Sequence, residues 1–97
     1  MKRTMVRYKV KPEQAAHNEE LVRRVYEELQ RTAPEGLRYA TFASEDGVSF
    51  VHVAAVSTAD GQNPLTALAS FKAFAANIAD RCDEKPVSAT ATAIGAY

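Results

Sequence analysis

The chain predicts an α+β fold of the ferredoxin-like kind, βαββαβ, in which a four-stranded antiparallel sheet carries two helices on one face. Three observations carry that prediction. Residues 37–56, LRYATFASEDGVSFVHVAAV, form two apolar runs joined at Asp46-Gly47, the strongest short-range signal for a β-hairpin. Residues 12–31 and 63–82 flank that hairpin with apolar positions at helical spacing. Residues 4–10 and 87–97 alternate as strands should.

A tight turn of type I′ needs positive φ at both central residues, and Asp-Gly tolerates it. Such a turn sets Glu45 opposite Val48, Ala43 opposite Phe50, Thr41 opposite His52, Tyr39 opposite Ala54 and Leu37 opposite Val56 on one face. Arg38, Ala40 and Phe42 lie against Ala55, Val53 and Val51 on the other. Neither face is polar enough to be left to solvent, so the hairpin must be covered on both sides. Two helices cover one side only. The expected cover for the second is an identical chain related by a two-fold axis, so a homodimer is predicted.

In chain order, Val6, Tyr8 and Val10 share one face of the first strand, and Met5, Arg7 and Lys9 the other. Arg7 and Lys9 on a central strand suit either an anionic ligand or paired charges at a dimer rim. Pro12 suits the first turn of a helix whose stripe is Leu21, Val22, Val25 and Leu29. Its outer face offers the pairs Glu19–Arg23, Glu20–Arg24 and Glu27–Arg31, a solvated charge run. Pro34 and Gly36 stop it. After the loop STADGQNPL, Asn63-Pro64 opens a second helix with a cap and a first-turn proline. Leu68, Phe71, Phe74, Ile78 and Cys82 form its stripe, with Lys72, Asn77, Asp80 and Arg81 elsewhere; Ser70 is a candidate cap for a second segment. Residues 83–86 are read as the exit turn and 87–97 as the last strand. The expected strand order is 4-1-3-2.

A length of 97 residues predicts one domain, residues 1–97, with a modest core. A net charge of zero argues against a nucleic-acid partner, where a basic stripe is expected. The longest apolar stretch, residues 64–79, is interrupted by polar residues, so no membrane span is expected. The basic start MKRTMVRYKV lacks the apolar run of a signal peptide, and the chain reads as cytoplasmic. A single Cys82 and two distant histidines make a poor metal site. No glycine-rich phosphate loop or nucleophile elbow is present, so no cofactor is expected.

His52 stands on a strand otherwise made of Phe, Val and Ala, with Tyr39 and Thr41 on the same face. One reading makes it a general base for a phenolic or carbon-acid proton, with Tyr39 orienting the substrate. The other makes it a core or interface histidine satisfied by Thr41 or a backbone carbonyl. Asn18 extends the first helix's stripe and points toward the sheet, where its amide can position a carbonyl; as a residue near a helix end it can equally be wet. Phe71 and Phe74 are core packing first and pocket walls second. His17 reads as surface. If Tyr8 and the first helix close over the His52 face, Asn18 and Phe71 complete a pocket there; if they close over the Val51 face, Asn18 cannot reach His52.

The strand-to-helix passage RYKVKP, the entry PEGLRYATF into the second strand, and Asn63-Pro64 ahead of a helix with Phe71 and Phe74 give the chain a recognisable pattern. It resembles the dimeric α+β barrel superfamily, and within it the small proteins grouped with antibiotic biosynthesis monooxygenases. The resemblance covers nearly the whole chain. It implies a dimer, and it leads to two functional expectations. One is a cofactor-independent monooxygenase-like enzyme acting on a small aromatic or polyketide-type molecule. The other is a non-catalytic homodimer that holds a small apolar ligand or none. Tryptophan, typical of several of the oxygenases, is absent from the chain.

Overall fold

The computed structural model describes residues 1–97. Strands β1 (Lys2–Val10), β2 (Leu37–Ala43), β3 (Ser49–Val56) and β4 (Cys82–Ala91) form one antiparallel sheet in the order β2-β3-β1-β4, the order expected. The hairpin register is also as expected, with Ala43 opposite Phe50, Thr41 opposite His52, Tyr39 opposite Ala54 and Leu37 opposite Val56. On the far side of β3, Tyr8 pairs with Phe50 and Val6 with His52. Because side chains alternate, this register puts Val6, Tyr8, Val10, Phe50 and His52 on one face.

Helix α1 (Ala15–Thr32) lies over that face and buries Asn18, Leu21, Val22 and Val25. A 3-10 turn at Pro12–Gln14 leads into it, and Ala33 ends it in the left-handed conformation, φ 43°, with its N–H on the Leu29 carbonyl. The predicted pairs Glu19–Arg23 and Glu20–Arg24 are present on its outer face at 3.5 and 3.3 Å. The predicted Glu27–Arg31 pair is not: Arg31 reaches Glu28 instead, at 3.6 Å. Glu28 is drawn inward because its carboxylate accepts from the Ser70 N–H (3.0 Å) and Ser70 Oγ (2.5 Å). Those bonds tie α1 to the start of the next helix and hold the Glu28 carboxyl below its ordinary range. Ser70 therefore does not cap its own segment; it is the residue being capped.

The second helical stretch is broken twice. Asn63 caps as expected, its side chain accepting from the Leu65 N–H, but the turn that follows, Pro64–Ala67, is 3-10. Leu68 is extended, α2 spans Ala69–Ala75, and Asn77 at φ 60° separates it from the short α3, Ile78–Arg81. Asparagine tolerates the left-handed region, and Ala76 just before it is extended, so the axis turns there. Each piece still presents its apolar side to the sheet. Leu65, Leu68 and Phe74 join Tyr8, Val10, Leu21, Val22, Val25, Phe50 and Cys82 in one buried cluster.

Three further expectations change. No turn occupies residues 83–86, because β4 begins at Cys82 and runs through Pro86. β4 is an edge strand, where a missing N–H costs no ladder bond, and the register shifts between Arg7 and Lys9 absorb the irregularity. The strand also ends at Ala91 rather than continuing to residue 97, and Ile94 and Tyr97 are exposed. The hairpin turn is not type I′. Asp46 keeps negative φ and only Gly47 is positive, at 76°, with the Gly47 N–H on the Ser44 carbonyl at 3.0 Å. Asp46 is held so because its carboxylate accepts from the N–H groups of Val48 and Ser49, both at 2.9 Å, an arrangement that closes the turn from the side chain.

The sheet face opposite the helices carries Met5, Phe42 and Val87, all well exposed, together with Arg7 and Lys9. Neither Arg7 nor Lys9 forms an ion pair within the chain. No helix is long and apolar enough to cross a membrane.

A Cβ added at Gly47 would meet nothing within 4 Å, so the cost of a substitution there is purely conformational. Gly47→Val is expected to lower stability by about 1 to 2 kcal/mol, the penalty for an L side chain in the left-handed region. Urea unfolding measures this directly, and an unchanged midpoint would contradict the positive φ.

Candidate functional site

The strand register leaves His52 on the helix-covered face, where it is only 5% exposed. Burial of an imidazole costs free energy unless both ring nitrogens find partners, and here both do. Nε2 lies 2.7 Å from Tyr8 Oη. Nδ1 lies 2.6 Å from Tyr39 Oη and 3.0 Å from Thr41 Oγ1. Thr41 in turn meets Tyr26 Oη at 2.8 Å. Behind Tyr8, Asn18 Nδ2 donates to Tyr8 Oη at 2.9 Å. Asn18 Oδ1 accepts from Nε and Nη2 of Arg81, each at 3.3 Å. The Arg81 guanidinium also donates to the carbonyls of Phe74 (2.6 Å) and Ala76 (3.1 Å) and lies over the Phe74 ring.

Donor and acceptor chemistry gives this chain one direction. Arg81 can only donate, so the Asn18 oxygen must face it and the Asn18 NH2 must face Tyr8. Tyr8 oxygen thus accepts from Asn18, and the only partner left for its own proton is His52 Nε2. The opposite assignment would strand a buried phenolic proton, at a cost of about 1 to 3 kcal/mol. His52 is therefore the neutral tautomer with its proton on Nδ1, donated toward Tyr39 and Thr41. Burial supports the neutral form, pulling the His52 pKa down to about 4 and pushing that of Tyr8 up to about 12. Burial raises Tyr39 as well.

Beside this chain lies a cavity of about 160 Å³ between the sheet and α2. Tyr8, Tyr39 and His52 line its polar wall; Val6, Leu65, Phe71, Phe74 and Ile78 line the rest, with Thr4 and Asn63 at the margin. His52 stacks on Tyr8 and meets a tilted Phe74 ring, with ring centroids 5.3 and 5.2 Å away. Tyr39 oxygen accepts from His52, and its one other neighbour, Thr41, already meets Tyr26 and His52 through its hydroxyl, so the Tyr39 O–H at the cavity wall can turn to donate to a bound molecule.

Of the residues singled out from the sequence, Tyr8, Tyr39, His52, Phe71 and Phe74 come together around the cavity. Asn18 and Thr41 do not line it. Asn18 is fully buried behind Tyr8, and Thr41 sits beside Nδ1 on the side of Tyr26, so each acts through a neighbour rather than on a ligand. Arg81 corrects the sequence reading, which placed it off the buried stripe; it is 7% exposed. Its spacing from Phe74 and Ile78, i+7 and i+3, was the available signal, masked by its charge. Asn63 was read only as a cap and also borders the cavity.

No protein-family model matches the chain, and no curated protein matches it. Solved structures do. A candidate antibiotic biosynthesis monooxygenase from Nitrosomonas europaea superposes with a TM-score of 0.79 at 22% identity, covering 98% of this chain and all of that one. A second structure described as an antibiotic biosynthesis monooxygenase gives 0.77 at 19% identity, with 98% and 100% covered. SnoaB, a cofactor-independent oxygenase from Streptomyces nogalater solved as a variant, gives 0.67 at 20% identity, with 98% and 95% covered. The fold is that of the antibiotic biosynthesis monooxygenase-like proteins, as the resemblance in sequence implied.

The depressed His52 pKa has a definite consequence for stability. Unfolding releases a histidine of ordinary pKa 6.5 that gains a proton before the folded one does, so stability falls as the pH drops from 6.5 toward 4. The loss is expected to approach about 3 kcal/mol. Urea titrations of the native protein and His52→Gln between pH 7 and 4.5 should diverge in slope, and parallel curves would mean that His52 is not held neutral.

Proposed function

We propose that this chain is a cofactor-independent monooxygenase-like enzyme acting on a small aromatic substrate in the cavity between sheet and helices. The observation that carries the proposal is the contiguous wall of Tyr39, His52 and Tyr8 along an otherwise apolar cavity. Such a site offers a donor for a developing oxyanion and an acceptor for a proton, which is what a substrate that reacts with dioxygen itself requires. The fold shared with SnoaB, described as a cofactor-independent oxygenase, points the same way.

The chemistry follows the relay. Tyr39 O–H donates to the substrate's keto or phenolic oxygen and so acidifies the adjacent methylene carbon. That carbon's proton passes to Tyr8 oxygen as Tyr8 gives its own proton to His52 Nε2. The carbanion transfers an electron to dioxygen, and the radical pair joins as a C–O bond. The peroxide takes back the proton from His52, and the O–O bond breaks as the carbon loses its second hydrogen. One methylene group and one dioxygen thus become one carbonyl group and one water. The low proton affinity of His52 in the empty site rises beside the anion formed, because an opposite charge favours the imidazolium.

Size narrows the substrate. A cavity of about 160 Å³ is comparable to the roughly 150 Å³ that accommodates benzene in an engineered protein core. One ring, or two with slight movement of Phe71, fits; a tricyclic polyketide requires α2 to move. A second reading, a non-catalytic binding protein for a small apolar ligand, is favoured by the fact that both His52 nitrogens already have partners at 2.6 to 3.0 Å.

Oxygen consumption with one- and two-ring hydroxyaromatics separates the two. The enzyme reading expects turnover that drops about 100-fold in Tyr39→Phe, the scale of losing one oxyanion donor, and is abolished in His52→Ala with the fold intact. Equal rates in all three proteins would leave the binding reading.

We further propose that the exposed sheet face closes against a second copy. Met5, Phe42 and Val87 are 43, 61 and 55% exposed there, an apolar patch that a monomer would leave in water. Light scattering should report a dimer, and Val51→Lys, on that same face, should shift it to monomer. A stable native monomer at micromolar concentration would refute the assembly.

A further inference from the structure

We propose that Arg81 is a positioning residue that sets the direction of the hydrogen-bond chain, so that the cavity selects the deprotonated form, phenolate or enolate, of a one- or two-ring hydroxyaromatic. This deepens the functional reading above and rests on its assignment of an aromatic ligand to the cavity.

Two independent features support it. The first is charge. Arg81 is almost fully buried and has no carboxylate partner; it is held by Asn18 and two backbone carbonyls alone. A buried cation without an anion is costly; Arg81 does not itself line the cavity, so it favours a ligand oxyanion there through Phe74, which it overlies, and through the Asn18–Tyr8 bonds. The second is polarity of the wall. Because every proton along Arg81, Asn18, Tyr8 and His52 points away from Arg81, the chain reaches the cavity as a donor at Tyr39. Asn63 also borders the cavity, and with its Oδ1 occupied by the Leu65 N–H its NH2 makes no bond within the chain. The titratable groups facing the cavity are Tyr8 from β1, Tyr39 from β2 and His52 from β3, and no carboxylate lines it. Cys82 and Arg81 lie behind Tyr8.

Asn18→Asp provides a sharp test because it preserves size while reversing the logic. A carboxylate at residue 18 neutralises Arg81 and can only accept. Tyr8 then donates to it, His52 must carry its proton on Nε2 to satisfy Tyr8 oxygen, and Nδ1 becomes an acceptor, for which Tyr39 at 2.6 Å is nearer than Thr41 at 3.0 Å. The free donor at the cavity disappears.

The experiment has two readouts on the full chain. Nitrogen-15 NMR of the ligand-free protein reports the His52 tautomer, and absorbance of bound 4-nitrophenol reports which ionisation state is held. The native protein should show the Nδ1–H tautomer and bind 4-nitrophenolate at least about tenfold more tightly than 4-nitrophenol, equal to one unit of pKa. Asn18→Asp should show Nε2–H and lose the preference. Tyr8→Phe, which keeps the ring stack and cuts the chain, should also lose it, and serves if the Asp variant does not fold; Arg81→Lys, which keeps the charge, should retain part of it. A native Nε2–H tautomer, equal affinity for the two forms, no binding of either, or an unchanged preference in the variants would overturn the proposal. Oxygen uptake plays no part in these measurements, so a protein that holds phenolate but consumes no oxygen would refute only the catalytic reading.

Discussion

His52 is buried between two tyrosines, and each hydrogen bond it makes is settled by the one before it, back to Arg81. Four polar side chains and one charge therefore stand in the middle of a small core. Each is tolerable only because its neighbour is in place, since a half-satisfied buried network costs more than an apolar one. The elements that supply them are α1, α3 and the three strands β1, β2 and β3, so the network couples nearly every part of the fold.

The same constraint explains the broken second helix. A continuous helix through residues 64–81 would keep Arg81 on the buried stripe but would tie up the Phe74 and Ala76 carbonyls in its own backbone bonds. The extended Ala76 and left-handed Asn77 turn the last segment, and the carbonyls of Phe74 and Ala76, freed from helical bonding at the break, accept from the guanidinium. Glu28 from α1 satisfies the other end of α2 through Ser70. The cavity occupies the space between these pieces and the sheet, and its small volume follows from Phe71 and Phe74 packing toward His52.

Much of this was legible in the sequence, for reasons that can be named. Asp46-Gly47 between alternating runs determined the hairpin register, and the register alone placed Tyr39, Thr41 and His52 together. The helical stripe carried Asn18 to the sheet. What the sequence hid was chemistry that depends on tertiary partners. The turn type hinged on the Asp46 carboxylate finding two N–H groups. The start of β4 was obscured because Pro86 reads as a turn until one knows that the strand lies at an edge. Arg81 was obscured most of all: charge is a strong prior for exposure, and only the converging oxygens of Asn18, Phe74 and Ala76 make its burial possible.

The central claim is that the chain from Arg81 to His52 behaves as one unit, and a double-mutant cycle between residues at its two ends tests that claim most directly. Tyr39→Phe and Arg81→Met change side chains that share no hydrogen bond, linked through His52, Tyr8 and Asn18 and, by packing, through Phe74, so the same cycle with Tyr8→Phe as background isolates the hydrogen-bonded route. Measured by urea unfolding at neutral pH, their effects should be coupled by about 1 kcal/mol or more, as for members of one network. Additive effects would contradict the account and reduce the chain to a set of separate contacts.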